Sequence, residues 1–275
     1  MPARPEVACL MYHEVTDDPT ASGFQRPGAL AYKHSTATFA EHLALIAEIP
    51  LRPTLITDLD LTRPGRHLLL TFDDGGKSAL TAGELLDKRG WKGHFLIVTS
   101  LIGNRTFIDP DGIRALHAAG HLIGSHSHTH PNIFRDQEPA RMVEEWRISR
   151  DILSQITGAP CVSASVPGGD ISSRVLESAD AAGLRYLFTS EPWLFPRRSG
   201  GCAILGRYSV KVTTSAAQVG ALARFRGWRT ALVRRRLKVW ATRALPPLYR
   251  LYIRARTTSG SSGPTASDRS RSRNP

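Results

Sequence analysis

One apolar run that ends in two adjacent aspartates constrains the fold of this chain more than any other feature. Residues 68–72, Leu-Leu-Leu-Thr-Phe, are followed at once by Asp73, Asp74 and a pair of glycines. Such a run is typical of a strand buried on both faces of a parallel sheet, where the carboxyl ends of the strands carry functional groups. A simple Asp-Gly turn after an edge strand is the alternative. Because neighbouring residues of an extended chain point to opposite sides, we expect Asp73 and Asp74 to have different roles.

A second polar segment contains three alternating histidines and follows a short apolar stretch. His126, His128 and His130 lie within Gly-Ser-His-Ser-His-Thr-His-Pro, residues 124–131. A helical turn would bring His126 and His130 to one face, whereas an extended chain would align all three. In either case two imidazoles converge, and two imidazoles with one carboxylate form the ligand set of a hydrolytic zinc site or a similar divalent metal site. Asp74 is the expected third ligand.

Together these two segments resemble a known family. Thr-Phe-Asp-Asp-Gly at 71–75 and His-Ser-x-x-His-Pro at 126–131 are similar to the first two motifs of the polysaccharide deacetylases, which carry the NodB homology domain and form carbohydrate esterase family four. The resemblance implies that Asp73 is the general base of a deacetylation. It also implies one divalent metal ion, expected to be zinc, with iron, cobalt or nickel as alternatives. By the same resemblance, the ligands of this ion are Asp74, His126 and His130.

Polar residues also follow the first predicted strand, residues 7–11. The segment Leu-Met-Tyr-His-Glu-Val at 10–15 resembles the branch of the family that includes the poly-N-acetylglucosamine deacetylases. In that branch the histidine of this motif is the general acid, which would be His13 here. A histidine that bonds to the backbone in a turn is the alternative. The late Leu-x-x-His motif of the family is absent, and no histidine follows His130, so His13 must act or the amine must be protonated in another way.

The third motif of the family is only partly preserved. Residues 166–170, Val-Pro-Gly-Gly-Asp, occupy its place, but Ser165 stands where the family usually has an arginine that orients the base. Arg207, on a later predicted strand, is a candidate to supply the missing charge. Pro167 and Gly168 of this loop are supporting candidates. Backbone N–H groups of the third motif, or of the loop after the second motif, could complete an oxyanion hole.

The fourth motif, an acid with a tryptophan, is expected near residues 186–193. Glu191 and Trp193 lie at this place. By the resemblance, Glu191 would orient His13, and Trp193 would line the pocket for the acetyl group.

Predicted strands separated by helices indicate an α/β fold with a parallel sheet. The family resemblance implies a distorted (β/α) barrel with fewer than eight repeats. At 275 residues the chain is long enough for one large α/β domain with an appendage. We expect the catalytic domain at 1–223, a basic amphipathic helical extension at 224–256 and a disordered tail at 257–275.

The net charge of +12 is concentrated at the C-terminal end. Fourteen of the 36 Lys and Arg residues and one of the 24 Asp and Glu residues lie from Arg224 onward, so this segment carries +13 and the preceding residues −1. The nearly neutral catalytic region suits an uncharged sugar better than a nucleic-acid backbone. Cations alternate with apolar residues in 224–256, which favours peripheral contact with an anionic membrane. A helix packed on the barrel is the alternative, and nucleic-acid binding is the weakest of the three.

The sequence therefore predicts a metal-dependent hydrolase that removes N-acetyl groups from an amino-sugar polysaccharide or its biosynthetic intermediate. The alternative is a catalytically degenerate domain of the same fold that only binds glycans, with a membrane-associating tail. No signal peptide or membrane-spanning segment is visible in the sequence, so we expect a cytoplasmic protein, located at the inner face of the membrane if the extension binds lipid.

Overall fold

The computed structural model describes residues 4–244, in which helices surround a curled, largely parallel sheet. The strands are β1 (Pro5–Tyr12), β2 (Glu14–Val15), β3 (Lys33–His34), β4 (Gly65–Phe72), β5 (His94–Ile97), β6 (Leu122–Ser125), β7 (Ser163–Ser165), β8 (Tyr186–Phe188), β9 (Arg197–Ser199), β10 (Cys202–Leu205) and β11 (Tyr208–Ser209). The α-helices are α1 (Thr36–Ala47), α2 (Ala79–Asp87), α3 (Pro110–Ala118), α4 (Pro139–Thr157), α5 (Ser173–Ala181), α6 (Ala216–Ala223) and α7 (Trp228–Ala244).

Nine of these strands form one sheet in the order β11-β1-β4-β5-β6-β7-β8-β10-β9, and β2 pairs with β3 separately. All neighbours in the large sheet are parallel except β9 and β10. The chain segment 202–209 pairs with β8 through β10 and with β1 through β11, so one segment bonds to both ends of the curled sheet. The predicted distorted (β/α) barrel with fewer than eight repeats is confirmed.

Strand β4 is the central strand that its sequence predicts. It pairs with β1 along its whole length, from Pro5 opposite Gly65 to Tyr12 opposite Phe72. Leu68, Leu69 and Leu70 are fully buried, and burial of each such side chain stabilises the fold by about 2 kcal/mol. Because both faces of the strand are covered, its direction is fixed and the two aspartates that follow leave the sheet at a defined point.

Helix α7 begins against the barrel. The Trp228 side chain is buried, and its Nε1–H donates to the carbonyl oxygen of Leu222 at 2.9 Å. The predicted tail at 257–275, and the predicted extension beyond residue 244, lie outside the described residues, and the boundary at residue 223 stays a prediction. Within residues 4–244, none of the helices has the length and apolar character needed to cross a membrane.

Candidate active site

Asp73 is a buried carboxylate held by a buried arginine. It follows β4 directly, and Arg207 lies between β10 and β11. The two Nη atoms of Arg207 donate to Oδ1 and Oδ2 of Asp73 at 2.7 and 2.8 Å. Burial disfavours ionisation of Asp73, but the Arg207 guanidinium, together with His126 and His13, outweighs burial and holds the pKa of this carboxyl well below its usual range. Asp73 is therefore ionised at neutral pH, with both oxygens in a fixed orientation.

Ser165 connects Asp73 to His126. Its hydroxyl donates to Asp73 Oδ1 at 3.0 Å, so its oxygen is free to accept. His126 Nδ1 lies 2.6 Å from this oxygen and 3.0 Å from the carbonyl oxygen of the same serine. Nδ1 therefore carries the proton and donates, which leaves the lone pair of His126 on Nε2.

That lone pair faces Asp74. The distance from His126 Nε2 to Asp74 Oδ1 is 3.4 Å, and that from His130 Nε2 to the same oxygen is 3.7 Å. One ligand atom from each residue lies within 4.8 Å of the other two. Burial lowers the pKa of both histidines. Burial also raises the pKa of Asp74 well above its usual value, as do the nearby carboxylates of Asp73 and Glu14.

These three side chains fit a divalent cation. They present two neutral imidazoles and one carboxylate, the donor set of hydrolytic zinc sites. A cation would also favour the ionised form of Asp74, which burial and the neighbouring carboxylates otherwise disfavour. The donor set does not discriminate zinc from iron, cobalt or nickel, because all four accept imidazole nitrogen.

The backbone at this site is held in uncommon conformations. Asp74, Ser127 and His130 have φ angles of 76°, 65° and 54°, and Phe225 is the one other non-glycine residue with positive φ in the described chain. Such conformations cost about 1–3 kcal/mol each and cluster at functional sites. The histidine segment is therefore neither helical nor extended, and both sequence-based alternatives for it were wrong. The expected convergence of His126 and His130 is nevertheless present.

Glu145 of helix α4 supports the turn between the two histidines. Its carboxylate accepts the backbone N–H groups of His128 and Thr129 at 2.9 and 2.7 Å, and the Thr129 hydroxyl at 2.7 Å. His128 points away from the cluster and bonds to the Thr99 hydroxyl at 2.9 Å. Sequence reasoning missed Glu145, although a signal was available. The residue lies on the buried face of α4, the other buried members of which are Met142, Trp146, Ser149 and Leu153.

His13 follows β1, at the same edge of the sheet. Its ring lies 4.4 Å from the ring of Tyr32, and its Nδ1 has no hydrogen-bond partner within the part of the chain that the structure describes. Burial lowers the pKa of His13 to about 3, and the nearby Asp73 carboxylate acts in the opposite direction. His13 is therefore a neutral imidazole next to the carboxylate in the free protein.

Glu14 was also missed, although it lies in the Tyr-His-Glu segment next to His13. The carboxylate is buried and accepts the hydroxyls of Ser22 and Ser78, the latter at 2.6 Å. It thereby joins β2 to the loop that contains Ser22. In that loop the Phe24 ring lies 5.0 Å from the ring of His130.

Glu191 has a different partner from the one predicted for it. Its carboxylate accepts from Arg235 of α7 at 2.9 Å, and the structure gives it no hydrogen bond to His13. Trp193 packs in an apolar cluster with Phe134 and Trp146, and the Arg197 guanidinium lies 4.0 Å above its ring. No described contact joins Trp193 to the aspartates.

The third-motif loop lies next to the site. Pro167 is buried, and Gly168 has a φ of 67°. The loop begins at Ser165, which contacts both Asp73 and His126. It therefore lies at the edge of the sheet where the site residues converge, as expected for a supporting segment.

Residues 60–187 match the family model described as polysaccharide deacetylase. The matched segment contains the three residues that could hold a metal ion, and also Asp73. Residues 60–187 therefore belong to the polysaccharide deacetylase family. His13, Glu191 and Arg207 lie outside the matched segment.

Individual relatives of the chain are distant. The peptidoglycan-N-acetylglucosamine deacetylase PgdA of Listeria monocytogenes is 22% identical over 185 residues, which are 66% of this chain and 39% of PgdA. The chain spans less than half the length of the curated relatives it matches. The structure of IcaB from Ammonifex degensii is 21% identical, covers 80% of this chain and 97% of its own, and has a TM-score of 0.66. The structure of a polysaccharide deacetylase from Bacillus cereus is 18% identical and has a TM-score of 0.69. The match covers 81% of this chain and 70% of the Bacillus cereus chain. These likenesses support the fold.

Proposed function

We propose that this chain is a metal-dependent hydrolase that removes N-acetyl groups from an amino-sugar polysaccharide or its biosynthetic intermediate. One observation carries the proposal: an ionised, oriented carboxylate, Asp73, stands next to the Asp74, His126 and His130 cluster. A base and a metal-ligand set at adjacent positions are what amide hydrolysis needs. The family match and the deacetylase names of the relatives support the same reaction.

Asp74, His126 and His130 would hold the divalent ion, expected to be zinc. When bound, the ion supplies Lewis-acid chemistry, because it polarises an amide carbonyl and makes a water molecule more acidic. Asp73 takes the proton of the attacking water, whose oxygen forms the new bond to the acetyl carbon. The fork of Arg207 keeps Asp73 charged and correctly oriented for this transfer.

His13 gives a proton to the sugar nitrogen as the C–N bond breaks, so that acetate and a free amine leave. Because the pKa of His13 is lowered to about 3, it starts as a neutral imidazole and must first take up a proton. The water that is consumed in the reaction supplies that proton through Asp73, whose carboxylate already influences His13 electrostatically. Backbone N–H groups of the third-motif loop are candidates to bind the oxygen that becomes negative in the transition state.

A degenerate glycan-binding domain is the weaker alternative. Sugar binding alone requires neither a buried, ion-paired Asp73 nor three converging candidate ligands on a backbone with positive φ at Asp74, Ser127 and His130. Conformations that cost free energy persist where function requires them, and three of them are at this site. We therefore favour the enzyme.

Acetate release from N-acetylglucosamine oligomers and from a peptidoglycan fragment tests the proposal. We expect release by the metal-loaded protein and a loss of about a hundredfold or more in Asp73→Asn. Asp58→Asn is the matched control, since Asp58 is exposed and is not one of the residues of the candidate site. Glycan that is retained by the wild-type protein without any release of acetate would favour the binding domain. An Asp73→Asn protein with the wild-type rate would exclude Asp73 as the base.

A second proposal concerns helix α7 as a peripheral membrane contact, in a cytoplasmic protein at the inner face of the membrane. Val233, Leu237 and Trp240 are 56%, 61% and 71% exposed and share one helix face, because they are spaced by four and three residues. Arg229 and Arg236 are exposed on the flank of this face, and α7 contains no acidic residue. An apolar stripe with flanking cations complements anionic lipid, and each cation near the surface contributes about 1 kcal/mol.

Sedimentation with vesicles tests this contact. We expect the full chain to bind phosphatidylglycerol vesicles, to release them at high salt, and not to bind pure phosphatidylcholine. A triple variant, Val233→Ser, Leu237→Ser and Trp240→Ser, should bind much more weakly. Equal binding by the triple variant would place the contact outside this face.

A further inference from the structure

Arg235 joins helix α7 to the two loops that follow β7 and β8. Its Nε–H donates to Glu191 Oε1 at 2.9 Å. Its Nη2 donates to the carbonyl oxygen of Gly169 at 3.3 Å and to Asp170 Oδ1 at 3.2 Å. All these groups are partly buried, so their charge-assisted bonds are screened less than those of exposed pairs. One side chain of α7 therefore contacts both the third-motif segment, at Gly169 and Asp170, and the fourth-motif segment, at Glu191.

Glu191 is connected to Asp73 through Arg207. The carbonyl oxygen of Glu191 accepts the backbone N–H of Arg207 at 3.0 Å. The Arg207 Nε–H in turn donates to the carbonyl oxygen of Thr189 at 2.9 Å, and its two Nη atoms hold Asp73. A shift of the segment 189–191 would therefore move the arginine that orients Asp73.

Gly169 is also connected to Asp73, through the loop that begins at Ser165. Gly168 and Gly169 have φ angles of 67° and 71°, and two consecutive glycines give this loop little intrinsic stiffness. A Cβ atom on Gly169 would lie 2.0 Å from Ser190 Oγ, so the two loops pack directly on each other. The loop begins at Ser165, whose hydroxyl donates to Asp73. One loop that Arg235 holds thus begins at Ser165, which bonds to Asp73, and the other begins at Thr189, which bonds to the arginine that holds Asp73.

Arg235 differs from its two neighbours in direction. With about 100° of rotation per residue, it lies on the opposite side of α7 from Val233 and Leu237. Arg234 and Arg236 are exposed. Among the α7 side chains that the structure describes, Arg235 is the one that forms ion pairs. Asp170 is also 3.7 Å from Arg135, so it lies between two cations.

We propose that Arg235 is a positioning residue for the deacetylation, which holds the two loops and, through Glu191, Arg207 and Ser165, the orientation of Asp73. The inference rests on the proposed function and deepens it. It makes the basic helix, which lies beyond the segment matched by the family, a part of the active-site support.

Steady-state acetate release by the full, metal-loaded chain tests this role with N-acetylglucosamine oligomers as substrate. We expect Arg235→Ala to lower kcat about tenfold or more and to change KM much less, because the orientation of the base matters in the transition state. Arg235→Lys should recover part of the loss, since an ammonium reaches one acceptor but cannot form the fork. Arg234→Ala is the matched control and should behave like the wild type.

Hydrogen exchange of the same proteins provides a readout that does not depend on activity. We expect faster exchange of the segments 166–170 and 189–191 in Arg235→Ala and unchanged exchange in Arg234→Ala. Metal content should be equal in all variants. Unchanged exchange in both segments would overturn the inference, as would a lower melting temperature with unaltered kcat. A wild-type protein that releases no acetate would overturn the proposed function instead, and the exchange result would still decide whether Arg235 positions the loops.

Discussion

The guanidinium of Arg207 holds both carboxylate oxygens of Asp73, at 2.7 and 2.8 Å, from a position 134 residues further along the chain. Arg207 lies in the segment that bonds to both ends of the curled sheet. The family usually has this orienting arginine at the start of the third motif, where this chain has Ser165. Here the positive charge comes from a different strand, and Ser165 adds a hydroxyl bond to the same carboxylate.

Replacement of Arg207 by methionine should disable the site. Asp73 would remain buried without its cation, so we expect acetate release to fall about a hundredfold or more and the free energy of unfolding to fall by about 3 kcal/mol. The rate and the stability of Arg207→Lys should lie between those of the wild type and those of Arg207→Met, because lysine keeps the charge but cannot form two parallel bonds. Steady-state kinetics and denaturant unfolding measure both effects. Arg198→Met, at an exposed arginine, is the control, and a wild-type rate in Arg207→Met would refute the orienting role.

Removal of the Ser165 hydroxyl should have a smaller effect. In Ser165→Ala, Asp73 keeps both bonds to Arg207, and His126 Nδ1 keeps the carbonyl oxygen at 3.0 Å. We expect a loss of about tenfold in kcat/KM, since a hydrogen bond to a charged group contributes about 1.5 kcal/mol. A loss as large as that of Asp73→Asn would show that the serine has a more direct part in the reaction.

The support of the histidine turn by Glu145 predicts an effect on metal affinity. An amide in Glu145→Gln offers one acceptor oxygen, so the two N–H groups and the hydroxyl that Glu145 now accepts cannot all be satisfied. We expect metal affinity to fall about 10- to 100-fold, as for other groups that orient ligands. Competition with a chelator measures it. Glu144→Gln is the neighbouring control, because Glu144 is on the exposed side and pairs with Arg141; equal losses in both variants would contradict the role.

Stability should fall in acid partly because of His94. Its Nδ1–H donates to the carbonyl oxygen of Leu70 at 2.9 Å, while its Nε2 accepts the N–H of Ile56 at 2.9 Å. Protonation would destroy the second bond, and burial lowers the pKa of His94 to about 4. An unfolded histidine has a pKa of about 6.5, so the unfolded chain takes up the proton first. The free energy of unfolding therefore falls as the pH drops from about 6.5 to about 4.

Denaturant unfolding at a series of pH values measures this contribution. In His94→Gln the slope of the unfolding free energy in this range should decrease by about 1 kcal/mol per pH unit, because one titrating group is lost. His117→Gln, at a partly exposed histidine of α3, is the comparison. An unchanged slope in His94→Gln would show that His94 does not contribute to the loss of stability in acid.

The sequence indicated the core of the site because its parts are short motifs. Asp73 and Asp74 are adjacent, and His126 and His130 are four residues apart, so residue types and spacing predicted that Asp74, His126 and His130 converge. The buried strand before the aspartates was equally clear from its apolar run. The conformation of the histidine turn was not predictable, because positive φ at Ser127 and His130 depends on the tertiary contacts that hold the turn.

Contacts between residues that are far apart in the chain were the other feature that the sequence did not predict. Arg207 was suggested by its residue type and its strand, but nothing in the sequence joined it to Asp73 rather than to another acid. The pairing of Glu191 with Arg235, 44 residues away, was missed altogether. Helical periodicity indicates which residues share a face, but the neighbour of that face is decided by how the helix docks on the barrel.

The metal content of two purified variants tests the division of roles between the adjacent aspartates most directly. Elemental analysis of the wild type, Asp73→Asn and Asp74→Ala, purified side by side and exposed to the same zinc concentration, should be combined with acetate release. We expect about one metal ion per chain in the wild type and in Asp73→Asn, little metal in Asp74→Ala, and loss of turnover in both variants. Full metal content in Asp74→Ala, or loss of metal in Asp73→Asn alone, would contradict the account.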